Sequence, residues 1–191
     1  MKEHFGPDDQ GLAYLSKTAA MPWDEFWVPG GSLRPRAEIE PGLFEISQVV
    51  IGREARLWIS AEGVDTGIND EVFFLTFMRD ERFGEELYEV KWRPRRARLT
   101  KFPATLPLER FASGTRQYEL VSIWRDATVK GAYETVEVDA GLIVTNTAGD
   151  RLLFTADQNT PLDMHVTMRD SHIDAYLRGA VDTRPIVARE A

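Results

Sequence analysis

The sequence predicts a mainly β fold: an antiparallel β-sandwich or partly open β-barrel of about nine strands, with a short N-terminal and a short C-terminal helix. Three observations support this prediction. Apolar residues recur with a period of two from Leu43 to Met168, as they do in half-buried strands. Turn residues separate these runs at the spacing typical of sandwiches and barrels. The 191 residues are 43% hydrophobic and include no cysteine, so a core can form without disulfides.

The point at which the alternation begins divides the chain into three predicted parts. Residues 1–42 form an irregular N-terminal strap, residues 43–180 a single β-rich domain, and residues 181–191 a loose C-terminal tail. Within the strap, Asp8 or Asp9 is placed to cap a short helix with apolar residues on one face.

Two strands joined by a tight turn open the β-rich domain. The first covers residues 43–50, and the second keeps Leu57 and Ile59 on the face opposite Trp58. Gly52-Arg53 lies between them, and glycine at the first central position is typical of a two-residue type II′ turn. We therefore expect a β-hairpin here.

The middle of the chain contains one strongly apolar run and then loses its regularity. Residues 71–78 are apolar on both faces, which indicates a central strand that is covered on both sides. Residues 86–92 alternate again and predict another strand. Prolines follow, so residues 93–115 are predicted to form a long connection with room for one edge strand.

Regular alternation returns in residues 117–125, where Tyr118, Leu120 and Trp124 are predicted to share one face of a strand.

Four further strands complete the predicted sheets. Residues 133–138 and 142–146 predict two strands that meet near Ala140-Gly141. Residues 148–150 have the composition of a hairpin turn that leads into a third strand at residues 152–156, and residues 162–168 alternate strictly as a fourth.

The C-terminal helix is predicted from its two ends. Ser171 and Asp174 have the spacing of a capping box, and Gly179 supplies a stop.

Charge and composition limit the functional classes. The net charge is −8, which disfavours nucleic acid and anionic membranes as partners. The sequence lacks an apolar run of 18 residues and an N-terminal secretory signal, so we expect a cytoplasmic protein. We find no catalytic motif and no phosphate-binding loop, and we predict no cofactor.

A cluster of cations interrupts this acidic chain and is a candidate anion site. Its members are Arg93, Arg95, Arg96, Arg98 and Lys101. Arginine forks suit phosphate or carboxylate geometry, and Trp92 and Phe102 could stack on bases if the ligand were RNA. The structural alternative is that Glu85, Glu86 and Glu89 pair with the cluster across a hairpin.

An acidic segment, residues 62–71, is a candidate metal site. The proposed ligands are Asp65, Asn69, Asp70 and Glu71. Hard cations such as calcium favour oxygen-rich loops, although the spacing does not match an EF-hand and the same residues are ordinary turn formers.

Two histidines offer another candidate metal site. His165 and His172 could meet where the last alternating strand leads into the helix, with Asp163, Asp170 or Asp174 as a third ligand. A two-histidine, one-carboxylate iron site has this composition, and so do many protein surfaces.

The aromatic residues suggest an interaction surface. The candidates are Trp58, Arg56, Trp23 and Trp27. Trp58 is predicted to face outward beside Arg56, and an exposed indole often marks a contact surface. In a closed barrel the aromatic rings could instead enclose a small apolar ligand, and in a sandwich they would fill the core.

These observations favour a non-catalytic binding or interaction module that binds an unknown protein partner or associates with itself. Outward Trp58 and unpaired strand edges support this hypothesis. The first alternative is a β-barrel carrier or enzyme for a small apolar or anionic ligand. The second is phosphate or RNA binding through the segment from Arg93 to Lys101.

Overall fold

A computed structural model gives the fold of the protein. It describes residues 3–29, 34–35, 41–53, 56–67, 70–79, 94–97, 106–129, 131–159 and 163–187. Across these ranges the chain forms thirteen strands in two sheets, two α-helices and two short 3-10 turns. The predicted mainly β class is confirmed. Within the same ranges no helix is long and apolar enough to cross a membrane.

The larger sheet has eight strands. They are β1 (His4–Phe5), β3 (Arg34–Pro35), β4 (Leu43–Ile46), β9 (Gln117–Val129), β10 (Ala132–Thr145), β11 (Arg151–Ala156), β12 (Met164–Thr167) and β13 (Ala180–Pro185). The strand order is β13-β9-β10-β11-β12-β4-β3, and all of these neighbours are antiparallel. β1 joins β10 in parallel, off the main path.

The smaller sheet has five strands. They are β2 (Phe26–Pro29), β5 (Gln48–Ile51), β6 (Leu57–Gly67), β7 (Asp70–Arg79) and β8 (Pro94–Ala97), in the order β7-β6-β5-β2-β8. Each sheet has two free ends in the part of the chain that is described, so neither closes into a barrel. The short strand β8 occupies the place in the proline-rich connection that the sequence left open for an edge strand.

The main core joins the apolar faces of the two sheets. Leu57 and Ile59 of β6 and Leu120 of β9 are fully buried in it. Helix α1 (Asp9–Lys17) adds Leu15, and its N-terminus is capped by the side chain of Asp8, which accepts from the amide of Gly11 at 2.6 Å. The predicted N-terminal helix and its cap are therefore confirmed.

The first predicted strand of the β-rich domain is divided at Ser47. β4 belongs to the larger sheet and β5 to the smaller one, so the chain passes from one sheet to the other at this residue. Phe44 of β4 and Ile51 of β5 both lie in the main core, although one is at an even and the other at an odd position and a single strand would place them on opposite faces. The crossing resets the alternation, which a single uninterrupted strand would have preserved.

The hairpin after β5 is confirmed, but its two-residue turn is not. Ile51 pairs with Leu57, so the connection spans residues 52–56. Gly52 has a φ of +84°, and its amide donates to the carbonyl of Glu25 at 2.8 Å. This contact with the segment before β2 explains why the loop is longer than the strands alone require.

β7 is buried on both faces as predicted, yet it is not central. It is the terminal strand of the smaller sheet. Its apolar side chains include Phe73, Leu75 and Phe77, all buried in the main core. Helix α1 lies so close that a Cβ on Gly11 would be 2.6 Å from the carbonyl oxygen of Phe77. A helix and the second sheet therefore supply the cover that neighbouring strands would give a central strand.

The two strands predicted around Ala140-Gly141 are one continuous strand, β10. A β-bulge between Asp139 and Gly141 replaces the predicted turn. A second irregularity lies between Ala180 and Asp182 of β13, so both neighbours of β9 change register beside Ser122.

The bulges change which face each β9 side chain occupies. Tyr118 and Leu120 lie in the main core, but beyond the bulge Ile123 packs against that core. Trp124, predicted to share the face of Tyr118 and Leu120, is instead 42% exposed. The prediction for Trp124 was wrong because bulges shift alternation by one residue.

The C-terminal region is more ordered than the sequence indicated. Helix α2 (Asp170–Arg178) is present and ends at Gly179, but its N-cap residue Arg169 makes no side-chain cap, so the predicted capping box is absent. α2 packs on the outer face of the larger sheet through Ile173, which joins Val121, Ile143 and Leu153 in a second small core. β13 then pairs with β9 where a loose tail was expected from residue 181.

The remaining strand predictions had different outcomes. The turn at residues 148–150 is confirmed, since β10 ends at Thr145 and β11 begins at Arg151. The strand predicted over residues 162–168 corresponds to β12, which covers only Met164–Thr167. The strand predicted over residues 86–92 lies outside the described residues.

Candidate functional site

The most deeply buried carboxylate of the described chain is that of Asp139. Its side chain is 1% exposed, and it pairs with Ser122 across β10 and β9 at the point where both flanking ladders are irregular. Bulges often re-aim a side chain within a sheet and are frequent beside functional sites. Asp139 therefore has the position of a candidate functional residue.

Three side chains from distant parts of the chain converge on this carboxylate. The hydroxyl of Ser122 donates to Oδ1 at 2.7 Å, and Nε2 of His4 lies 3.1 Å from the same oxygen. Nη2 of Arg184 donates to Oδ2, while Nη1 of Arg184 donates to the Ser122 hydroxyl at 3.1 Å. We call these four residues the Asp139 cluster.

Two further residues line the cluster. A Cβ on Gly6 would overlap the Asp139 carboxylate, so only glycine lets the chain pass here at this distance. The hydroxyl of Tyr176 on α2 is buried and has no hydrogen-bond partner among the residues described. Burial raises the pKa of Tyr176, and the negative charge of Asp139 raises it further. Tyr176 is therefore held in its neutral form.

The interactions of the Asp139 cluster are structural: they connect strands by hydrogen bonds and an ion pair. Both carboxylate oxygens of Asp139 are engaged by donors, and a cation, Arg184, compensates the charge. Such a carboxylate has little capacity left to bind a metal. The Asp139 cluster connects β1, the β9–β10 pair and β13. It thereby fixes the edge of the outward surface of the β9–β10 hairpin.

The outward surface of the long β9–β10 hairpin is the strongest candidate for binding. The side chains that share it are Trp124, Asp126 and Thr128 of β9 and Tyr133, Thr135 and Glu137 of β10; we call this surface the hairpin face. They form three directly paired rows: Trp124 with Glu137, Asp126 with Thr135, and Thr128 with Tyr133.

Two aromatic rings of the hairpin face are open to solvent. Trp124 is 42% exposed and Tyr133 is 74% exposed. Four residues of strand separate their rows, so the rings stand about 13 Å apart along the ribbon. Between them the hydroxyl of Thr135 donates to Asp126 at 2.7 Å, which orders the middle row.

The hairpin face is electrically negative. Asp126 and Glu137 are its only charged members. Aromatic rings beside carboxylates favour cations, because the ring face and the carboxylates attract positive charge together.

The predicted arginine cluster is only partly described. The backbone of Arg95 and Arg96 lies on β8, paired with Val28 and Trp27 of β2. Arg93, Arg98 and Lys101 lie outside the described residues. Anion binding by this segment stays a prediction.

The predicted metal loop is largely strand. Asp65 belongs to β6 and pairs with Glu71 of β7, which begins at Asp70. The connection is thereby reduced to residues 68–69, and Asn69 lies outside the described residues. Among residues that are described, no three His, Asp or Glu side chains are grouped so that they could hold a metal ion. The calcium site proposed at Asp65, Asn69, Asp70 and Glu71 stays a prediction.

The predicted two-histidine site is not formed, since His165, His172 and their proposed partners are all described and do not make such a group. Nε2 of His165 lies 3.5 Å from Oδ2 of Asp157. Asp170 and Asp174 instead bind the guanidinium of Arg151, at 2.7 and 2.9 Å.

The predicted interaction residues occupy different environments. Trp58 lies on the outward face of β6 as expected, but it is half-buried, as is Arg56 beside it. Trp23 is buried in the main core, where it stacks on Tyr118 and packs edge-on against Phe26, so its prediction as a surface residue was wrong. The Trp27 side chain lies outside the described part.

Sequence reasoning missed Asp139, Ser122 and Arg184. The one local signal was an aspartate followed by Ala140-Gly141 inside an otherwise apolar strand. That pattern is compatible with a bulge as well as with a turn, and the bulge was the correct interpretation.

Comparisons of the chain with protein-family models, with curated proteins and with solved structures gave no match.

Proposed function

We propose that the protein is a non-catalytic interaction module that binds a protein partner on its hairpin face. The observation that carries this proposal is the pair of exposed rings, Trp124 and Tyr133, on one side of a continuous strand pair. Tryptophan and tyrosine are the residues most enriched at the energetic centres of protein interfaces.

The support comes from rigidity as well as from exposure. The inner side of the same ribbon is anchored in the main core through Ala127, Val129 and Val136, all buried. The Asp139 cluster fixes the base of the ribbon. A pre-organised surface loses little conformational entropy on binding, so its exposed rings can contribute to affinity.

The charge of the surface indicates the chemistry of the partner. Asp126 and Glu137 flank the rings, and the whole chain carries a net charge of −8. A partner that presents lysine or arginine side chains would gain from cation–π contacts and from faster association.

A comparison of two double variants tests the proposal. Immobilised parent protein should retain a partner from a cell extract, and W124A/Y133A should lose the same partner. The matched control is M21A/M78A, which removes two exposed apolar side chains elsewhere and should retain it. Proteins captured equally by all three baits would contradict the proposal.

Light scattering on the same variants identifies one special case. If the parent is a dimer and W124A/Y133A is a monomer, the partner is a second copy of the chain. A carrier or enzyme for a small ligand, and phosphate or RNA binding through Arg93 to Lys101, remain alternative hypotheses.

A further inference from the structure

The sheet ends of this protein are protected against pairing with foreign strands. β3 has two residues and ends at Pro35, and β8 begins at Pro94. β13 contains a register shift at Val181 and ends at Pro185. Proline, bulges and short length are the usual devices by which proteins protect an exposed edge.

The remaining sheet end, β7, is protected by a side chain. Nε2 of Gln158 donates to the carbonyl of Phe73 at 2.5 Å, and the amide of Phe73 approaches Oε1 of Gln158 at 3.4 Å. The glutamine amide thus occupies the place of a neighbouring strand, and α1 covers the same strand near Phe77.

One internal edge has none of these devices. β11 pairs with β10 only from Gly141 to Thr145, and β1 pairs with it only at Glu137 and Val138. In the described chain, residues 132–136 of β10 therefore have a strand partner on the β9 side alone. Their sequence, AYETV, contains no proline or glycine, and no register shift falls within it.

β1 demonstrates that this edge accepts a strand. The amide of Glu137 donates to the carbonyl of Glu3 at 3.1 Å, away from β9. In an antiparallel pair, alternate residues direct their backbone groups to the same side. The amides of Thr135 and Tyr133 therefore point to the same open edge as that of Glu137.

A strand added at this edge would lie against the hairpin face. Neighbouring strands are about 4.8 Å apart, so alternate side chains of a segment along residues 132–136 would directly face Tyr133 and Thr135. The position that faces Glu137 is already taken by His4 of β1, and Asp126 pairs with Thr135 from the β9 side. Glu137 is therefore the diagonal neighbour of the side chain opposite Thr135, and diagonal neighbours lie about 7–8 Å apart, within reach of a long side chain. These two carboxylates favour lysine or arginine at that position.

We propose that an extended, Lys- or Arg-bearing segment of the partner adds as a strand to β10 along residues 132–136. This inference rests on the proposed function of the hairpin face and specifies how the partner binds. Main-chain hydrogen bonds would provide affinity, and alternate side chains would provide specificity, as in other cases of strand addition.

The test uses the full chain and a blocked heptapeptide of alternating lysine and valine. Hydrogen exchange, measured residue by residue by NMR, should slow roughly tenfold or more at the amides of Tyr133 and Thr135 when the peptide saturates. A peptide of the same sequence, N-methylated at alternate residues, should bind at least roughly tenfold more weakly, because it cannot complete the ladder. A peptide with glutamate in place of lysine should leave both amides unprotected.

The outcomes separate this inference from the proposed function. Equal binding of the methylated and unmethylated peptides, or no binding of either, would refute strand addition. The interaction module would survive that result if W124A/Y133A still lost its captured partner. Slow exchange of both amides in the free protein would also refute the inference, because the edge would already be occupied.

Discussion

Arg116 and Asp139 are the two most deeply buried charged residues of the described chain, and the protein compensates them in different ways. Arg116 is 2% exposed and lies in the main core. Nη1 donates to the carbonyl of Phe111 at 2.8 Å, and Nη2 donates to the carbonyls of Thr18 and Met21. Asp139 instead receives a full opposite charge from Arg184.

The surroundings of the two charges differ as well. The Arg116 guanidinium lies 5.0 Å from the ring centroid of Trp23, and Tyr118 closes the site through a 2.9 Å hydrogen bond with Thr18. Water has little access to this site. The partners of Asp139 reach solvent, since the side chains of His4 and Arg184 are 44% and 35% exposed.

Each site holds a terminal part of the chain against the sheets. Arg116 holds the turn after α1 and the approach to β2, whereas Asp139 holds β1 and β13. A buried charge can therefore be stabilised by backbone dipoles and an aromatic ring as well as by an opposite charge. It also implies that the Arg116 site should tolerate damage less well, because water cannot replace the lost partner.

The largest effect is expected for Arg116→Met. Three carbonyls would lose the guanidinium as a donor, two of them in buried hydrogen bonds, and the Trp23 ring would lose its cation. We expect the free energy of unfolding to fall by about 3–5 kcal/mol, measured by urea denaturation. Arg110→Met is the control: its exposed ion pair with Asp150 should contribute no more than about 1 kcal/mol. If Arg116→Met lowered the free energy of unfolding no more than Arg110→Met does, the buried Arg116 site would contribute no more to stability than an exposed ion pair.

A smaller effect is expected for Asp139→Asn. The change removes the negative charge and replaces one of the two acceptor oxygens with a donor, so Arg184 and Ser122 lose one of their two acceptors, but Arg184 can turn to water. We expect a loss of about 2–3 kcal/mol, below the value for a fully buried pair. A double-mutant cycle with Arg184→Gln should give a coupling of about 1 kcal/mol or more.

The control for this change is Asp24→Asn, whose side chain is 41% exposed and lies 3.8 Å from Arg53. It should alter stability by about 0.5 kcal/mol at most. If Asp139→Asn matched this control, or if the cycle showed no coupling, Asp139 would behave as an exposed carboxylate and its ion pair with Arg184 would not stabilise the fold.

The fold class could be predicted from the sequence because side-chain alternation is a local property. It was reliable where a strand stays in one sheet, as from Leu57 to Ala61, whose odd positions are buried. It failed at Ser47, where the chain changes sheets, and at Asp139, where a bulge inserts a residue. Both are single-residue events that reverse every later assignment on the strand.

The candidate site was less predictable, because its contacts join distant parts of the chain. His4, Ser122 and Arg184 meet at Asp139 only after both sheets have formed, and no local pattern indicates their convergence. Trp58 was correctly placed outward, but composition did not reveal that it is half-buried. Trp124 was placed on the same face as Tyr118 and Leu120 because the alternation was taken to continue unbroken over residues 117–125.

The smallest effect concerns the two buried tyrosines, one near each charged site. Burial raises the pKa of Tyr176, with a further contribution from Asp139. Burial also raises the pKa of Tyr118, partly offset by its hydrogen bond with Thr18 and by the charge of Arg116. The unfolded chain would release these protons near pH 10 and the folded chain only above it. Their contribution to stability is therefore complete below about pH 10 and is lost as the pH rises further.

Tyr176→Phe and Tyr118→Phe should both reduce this alkaline loss, measured as unfolding free energy between about pH 8 and pH 11. At neutral pH they should differ. Tyr176→Phe should change stability by less than about 1 kcal/mol, because its buried hydroxyl has no partner in the described chain. Tyr118→Phe should cost about 1 kcal/mol, because Thr18 loses its hydrogen bond. An unchanged alkaline loss in Tyr176→Phe would show that this hydroxyl is not desolvated in the folded protein, and the cluster would then be wetter than its burial indicates.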